Sequence, residues 1–223
     1  VVRRLVVALL APVSWTPPEI DPTDWRTALA EDVVDLLATL NEVETAVAVA
    51  EADRWLADAV VWPGTLVYQL PRPTVAAVLA SCGRTAQPSQ PSQSAGVNRA
   101  EAGHGYDQVA VVAGDAPDLP GLTIGKLLRP LTTRPMAVAP VVGADTGLLG
   151  AAARLPLPEW LPALDLDRAV PAAVRAAAPH PAELAVTAGW HRLRGPADLA
   201  RLDPALAGWD ATRTLLAGAG ILR

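Results

Sequence analysis

The segment Gln108-Val-Ala-Val-Val-Ala-Gly-Asp-Ala-Pro-Asp-Leu-Pro120 constrains this chain more than any other. An apolar, β-branched run stops at a Gly–Asp turn that carries two carboxylates, Asp115 and Asp118. A Val-rich run without polar alternation is the pattern of a strand covered on both faces, the habit of parallel α/β sheets. In open sheets of that kind, sites form beyond the carboxyl ends of the strands. The turn at Asp115 is therefore where a site is expected. Asp118, just ahead of Pro120, is expected to cap the helix that follows.

The rest of the chain alternates in the same manner. Leu5–Leu10 reads as a first buried strand, and Ala11–Asp24 as a loop because Pro12, Pro17, Pro18 and Pro22 block regular structure. A helix is predicted from Thr23 or Asp24 to about Leu40, with Leu29, Val33, Leu36, Leu37 and Leu40 on one stripe. Further strands are predicted at Thr45–Ala50, Thr65–Leu70, Met136–Val142 and Leu184–Thr187. Helices are predicted at Asp53–Val60, Thr74–Ser81, Pro120–Leu131, Pro196–Leu202 and Asp210–Ala217. This order implies a three-layer α/β/α sandwich with a mostly parallel sheet, in one domain over 1–223. Thr85–Gly105, with its Gln-Pro-Ser repeats and no apolar period, reads as a flexible insertion in that domain.

Bulk properties narrow the function classes. The chain of 223 residues is 51% hydrophobic, but no apolar run approaches the roughly 18 residues of a membrane span. The apolar opening Val1–Leu10 holds Arg3 and Arg4 and runs into a Pro-rich loop, so it reads as a strand and not as a leader. Cys82 is the single cysteine, which predicts no disulfide framework and a cytoplasmic protein. A net charge of −5 argues against nucleic-acid binding. His104, His180 and His191 lack metal-ligand spacing. There is no Gly-x-Ser-x-Gly elbow, dinucleotide fingerprint or P-loop. Asp165-Leu-Asp167 is an Asp-x-Asp in a Leu-rich, Pro-flanked stretch, not after a Val-rich strand.

Taken in order, several segments resemble a family. They are Ala11-Pro-Val13 after the first strand, the Gly114-Asp-Ala-Pro-Asp-Leu119 turn, Leu148-Leu-Gly150, and Gly195-Pro-Ala-Asp-Leu199 near the end. The chain resembles the bacterial glycosyltransferase-A-like proteins related to 2-phospholactate and molybdenum-cofactor guanylyltransferases, in particular the radical-SAM/selenodomain-associated glycosyltransferase group. The resemblance implies a Rossmann-like nucleotidyl- or glycosyltransferase fold. It also implies Mg²⁺ or Mn²⁺ held by Asp115, and a nucleotide or sugar nucleotide as partner. It departs from the family at three places. Leu10 stands where the family carries a Lys, and Ser14-Trp-Thr-Pro-Pro-Glu-Ile-Asp21 replaces its basic loop. Gly143-Ala-Asp-Thr-Gly147 replaces its Asp-Gly-Gly-Tyr. Arg192 and Arg194 replace two carboxylates near the end.

Phosphoryl and nucleotidyl transfer work by positioning and by neutralising phosphate charge. An Arg where a metal-side Asp is expected removes a ligand and repels a cation, yet its forked donors suit phosphate. Two readings stay open. One is a transferase with Asp115 on the metal, Arg192 or Arg194 on phosphate, and Trp15 stacked on the base. The other is a degenerate member that persists as a binding or scaffold protein, with a protein partner or as a homodimer; an exposed apolar patch around Trp160 and Leu161 would favour it.

Overall fold

The computed structural model describes residues 2–83 and 105–222. Seven strands form one sheet, β1 (Arg4–Leu9), β2 (Glu44–Ala50), β3 (Leu66–Leu70), β4 (Gln108–Ala113), β5 (Met136–Pro140), β6 (Leu148–Arg154) and β7 (Leu184–Val186), in the order β3-β2-β1-β4-β6-β5-β7. All neighbouring pairs are parallel except those of β6, which runs antiparallel to both β4 and β5. β1 and β4 are adjacent and parallel, as expected, with Val7 opposite Val111. Among the described residues six α-helices accompany the sheet: α1 (Pro22–Ala38), α2 (Arg54–Val60), α3 (Val75–Gly83), α4 (Gly121–Leu128), α5 (Pro171–Ala177) and α6 (Asp210–Gly218).

The period of two along the strands builds the three layers. Val6, Ala8, Ala110 and Val112 face one side, where Val33, Leu37, Leu56, Ile124 and Leu127 of α1, α2 and α4 cover them. Leu5, Val7, Val109 and Val111 face the other, under Val75, Leu79 and Cys82 of α3 and Val174 of α5. A third cluster joins Trp25 and Leu29 of α1 to Trp209 and Leu216 at α6, with Leu193 and Leu202 between them.

Several expectations needed correction. The α1 cap is Asp21, not Thr23 or Asp24: its Oδ1 accepts from Thr23 N at 2.7 Å, and Pro22 takes the first helical position, where its missing N–H costs nothing. The predicted helix over Pro196–Leu202 is a 3₁₀ segment, Pro196–Arg201, and the one over Pro120–Leu131 gives way to 3₁₀ after Leu128. β6 and α5 were not anticipated. The insertion predicted at 85–105 lies, apart from Gly105, outside the described residues.

Candidate functional site

Parallel pairing brings the ends of β1 and β4 to one edge, so the loop after Leu9 and the turn after Ala113 face each other. Gly114 N donates to Leu9 O at 3.1 Å, and the chain then turns into Asp115, which is buried. The segment Trp190–Arg194 crosses this same edge. Trp190 bridges Val141 in parallel, Val142 N donates to Trp190 O (3.0 Å), and Leu193 N donates to Asp115 O (2.9 Å). The backbone is thus pinned on both sides of Arg192.

The two residues singled out at this edge meet directly. Arg192 Nε donates to Asp115 Oδ1 at 2.6 Å and Nη2 to Asp115 Oδ2 at 2.9 Å, a bidentate fork. Nη1 donates to the Leu148 and Leu166 carbonyls at 3.1 and 3.0 Å, and Nη2 also reaches Asp167 Oδ1 at 2.7 Å. A guanidinium has five N–H donors; four are hydrogen-bonded inside the protein, and Nη2 is also ion-paired with Asp167. Burial alone would pull its pKa down, but the Asp115 and Asp167 carboxylates outweigh that and hold it above the ordinary arginine value. Asp167, assigned little weight in the sequence, is therefore part of the constellation; the Asp-x-Asp spacing was its only signal.

Asp118 does not cap α4, whose N-cap is Pro120 without a side-chain bond. Its carboxylate turns inward, where Oδ1 accepts from Trp190 Nε1 at 3.1 Å. His191 Nε2 lies 2.9 Å from the same oxygen, at ion-pair distance but outside hydrogen-bond geometry, and its ring stacks on Trp190. Asp118 thus fastens the crossing segment at Trp190, two residues before Arg192.

The other predicted residues are spread more widely. Arg194 reaches the Thr146 and Asp167 carbonyls at 3.2 and 3.4 Å, lying over Gly147. With φ +98° and the guanidinium 2.7 Å from where a Cβ would be, Gly147 admits no larger residue without displacing that arginine. Trp15 packs edge-on against Trp25 at 6.0 Å, and its carbonyl accepts from Trp25 Nε1. It belongs to the third core cluster. Trp160 and Leu161 are partly buried against the second, with Trp160 Nε1 on Glu183.

The cavity at this edge, lined by Leu9, Ala11, Thr74, Ala113, Asp165, Asp167 and Arg192, holds about 140 Å³, below the roughly 300 Å³ at which small-molecule pockets begin. A groove of about 820 Å³ lies elsewhere, between α1 and α6. Glu19, Asp21, Asp24, Glu31, Asp32, Asp35 and Asp210 line it, with no basic side chain. A nucleoside phosphate is repelled there. At the sheet edge a Mg²⁺ or Mn²⁺ on Asp115 would need the oxygens that the guanidinium already occupies, so the residues present do not fit one. Among the described residues no three His, Cys, Asp or Glu side chains form a metal-holding group, and no helix is long and apolar enough to cross a membrane.

This mostly parallel sheet, with β6 antiparallel, matches the nucleotide-diphospho-sugar-transferase fold, the glycosyltransferase-A-like branch of α/β proteins. Solved structures share it. A candidate nucleotide-diphospho-sugar transferase from Desulfovibrio desulfuricans G20 is 14% identical, with 99% of this chain and 98% of that one covered and a TM-score of 0.57. The 4-diphosphocytidyl-2C-methyl-D-erythritol synthase of Anaerococcus prevotii DSM 20548 is 10% identical over 96% of each chain, with a TM-score of 0.56. Rv0371c of Mycobacterium tuberculosis H37Rv, in complex with manganese, is 17% identical over 97% and 98%, with a TM-score of 0.51. No protein-family model and no curated protein matches the chain.

Proposed function

We propose that this chain is a transferase-fold protein with a degenerate nucleotide and metal site, acting by binding and not by group transfer. The observation that carries this reading is the Arg192 fork on Asp115. It occupies the carboxylate that the resemblance sets on the metal, and together with the Leu148 and Leu166 carbonyls it takes up four of the five donors with which Arg192 could have held phosphate, while Asp167 pairs with the same guanidinium. Transfer chemistry of this class depends on cations aimed at the phosphates, and the first loop carries Glu19 and Asp21, which line the α1–α6 groove, where the resemblance expects basic residues. The small volume left at the edge supports the same reading.

The test is calorimetric titration with nucleoside triphosphates and sugar nucleotides, each with Mg²⁺ and with Mn²⁺, alongside assays for pyrophosphate or nucleoside diphosphate release. No heat that depends on Asp115, and no release, is expected. Turnover of any activated nucleotide overturns the proposal. A second reading, a nucleotide held without metal, is favoured by Arg194, whose contacts are long and partly exposed. It requires binding that survives chelator and is lost in Arg194→Ala.

A further inference from the structure

We propose that Arg192 is the resident cation of this cleft. Its guanidinium holds Asp115 and Asp167 together in the place the resemblance gives to a divalent ion, so that the site is organised without metal. The acceptor set makes the case first. Two oxygens of Asp115, one of Asp167 and the carbonyls of Leu148 and Leu166 converge on it. An all-oxygen set of carboxylates and carbonyls is what hard divalent cations take; here a guanidinium fills it, with four hydrogen bonds and the Asp167 ion pair.

Burial makes the second case. The Arg192 and Asp115 side chains are each only 7% exposed, so the arginine is no surface group that swings aside to admit an ion. Moving it would leave a buried, uncompensated carboxylate. The third case is delivery. Hydrogen bonds at Trp190 O and Leu193 N clamp the backbone on either side, so the guanidinium is held by fixed chain. Access is not what keeps a metal out, because Asp167 is half exposed and borders the edge cavity. Charge is: a divalent ion arriving there meets a fixed positive group and oxygens already hydrogen-bonded. The guanidinium neutralises and ties, as an ion does. It leaves no open position for a phosphate oxygen.

The inference shares its geometry with the proposed function but fails separately. Metal-independent turnover would refute the proposed function and leave Arg192 as the cation. Mn²⁺ on Asp115 would refute the inference and leave the absence of turnover untouched. The experiment titrates Mn²⁺ into the full chain and follows the paramagnetic resonance of free Mn²⁺, with thermal melting in parallel. It uses the unaltered protein, Asp115→Asn, Arg192→Ala, and the double variant carrying both changes. The unaltered protein is expected to take up no more Mn²⁺ than Asp115→Asn and to keep its melting point. Arg192→Ala is expected to melt about 10 °C lower and to recover part of that loss with Mn²⁺, which the double variant does not. Stoichiometric Mn²⁺ uptake by the unaltered protein that Asp115→Asn abolishes overturns the inference. So does a folded Arg192→Ala that takes up no more Mn²⁺ than the double variant. If Arg192→Ala does not fold, the arginine Nε–H spectrum of the unaltered protein decides. A resonance assigned to Arg192 by its loss in Arg192→Lys, protected from exchange and unbroadened by Mn²⁺, is expected; its absence or its broadening refutes the proposal.

Discussion

A Cβ built on Gly189 would lie 1.9 Å from the Pro140 carbonyl oxygen, nearer than any side chain can approach. The lack of a side chain there lets the crossing segment close on the end of β5, where Trp190 bridges Val141. Gly189→Ala is expected to push the segment off the sheet edge and to cost about 2 kcal/mol or more. Urea melts measure the loss, and a change below about 0.5 kcal/mol would show that the segment yields freely. Three residues on, the Asp115–Arg192 pair answers to a different physics. Removing either partner alone leaves a buried charge, so Asp115→Asn and Arg192→Met are each expected to lose about 3–5 kcal/mol. Their combination should cost well under the sum of the two. An additive double-mutant cycle would mean that the fork contributes no coupling. The sequence put both residues on the list for this edge, one from a strand-end turn and one from a family position. It did not indicate that they would bind each other, since facing opposite charges 77 residues apart leave no periodic trace.

Among the elements, α6 docks on α1 through a carboxylate. Asp32 accepts from Ala211 N at 3.0 Å and Thr212 N at 2.8 Å, so a side chain of one helix satisfies the first turn of another. Burial nevertheless dominates, and it pushes the Asp32 carboxyl from its ordinary 3.8 up to about 6, against the opposing pull of the Thr212 and Ala211 contacts. The folded chain therefore holds this proton more tightly than the unfolded chain does. The resulting stabilisation is present below about pH 4 and is lost as pH rises through 6. Relative to Asp32→Asn, the unaltered protein should lose about 2 kcal/mol between pH 4 and pH 7. Parallel stability curves for the two would contradict the assignment. Elements with a strong apolar period were legible from sequence, as β1, β4 and α1 show. β6 was not, because Leu148-Leu-Gly-Ala-Ala-Ala-Arg154 contains no β-branched residue and its Ala run carries no strand signal. Tertiary pairing on both sides makes it a strand. α5, a seven-residue helix with Val174 alone buried, has too short a stripe to read.

At the scale of the molecule, positive charge is spent at the sheet edge while negative charge collects on the α1–α6 face. The fold places the two apart, and that division was only half legible: the net charge of −5 is in the composition, but its gathering along one groove needs α6 against α1. The two regions should answer differently to salt. Exposed like charges repel within a screening length of about 10 Å at 0.1 M salt, whereas a buried pair is screened far less. Raising NaCl from about 20 mM to about 300 mM is therefore expected to raise the melting temperature of the unaltered protein by about 2–4 °C, the equivalent of roughly 1 kcal/mol at this chain length. Neutralising Asp24 and Glu31 as Asp24→Asn and Glu31→Gln should give a similar gain at low salt and remove most of the salt response. Glu31→Gln should also lower the Asp32 midpoint, because the Glu31 charge helps raise it. The buried Arg192–Asp115 fork should respond little, so most of the melting deficit of Arg192→Met should persist at both salt concentrations. A deficit that is mostly lost at high salt would place that pair in contact with solvent and undo the division.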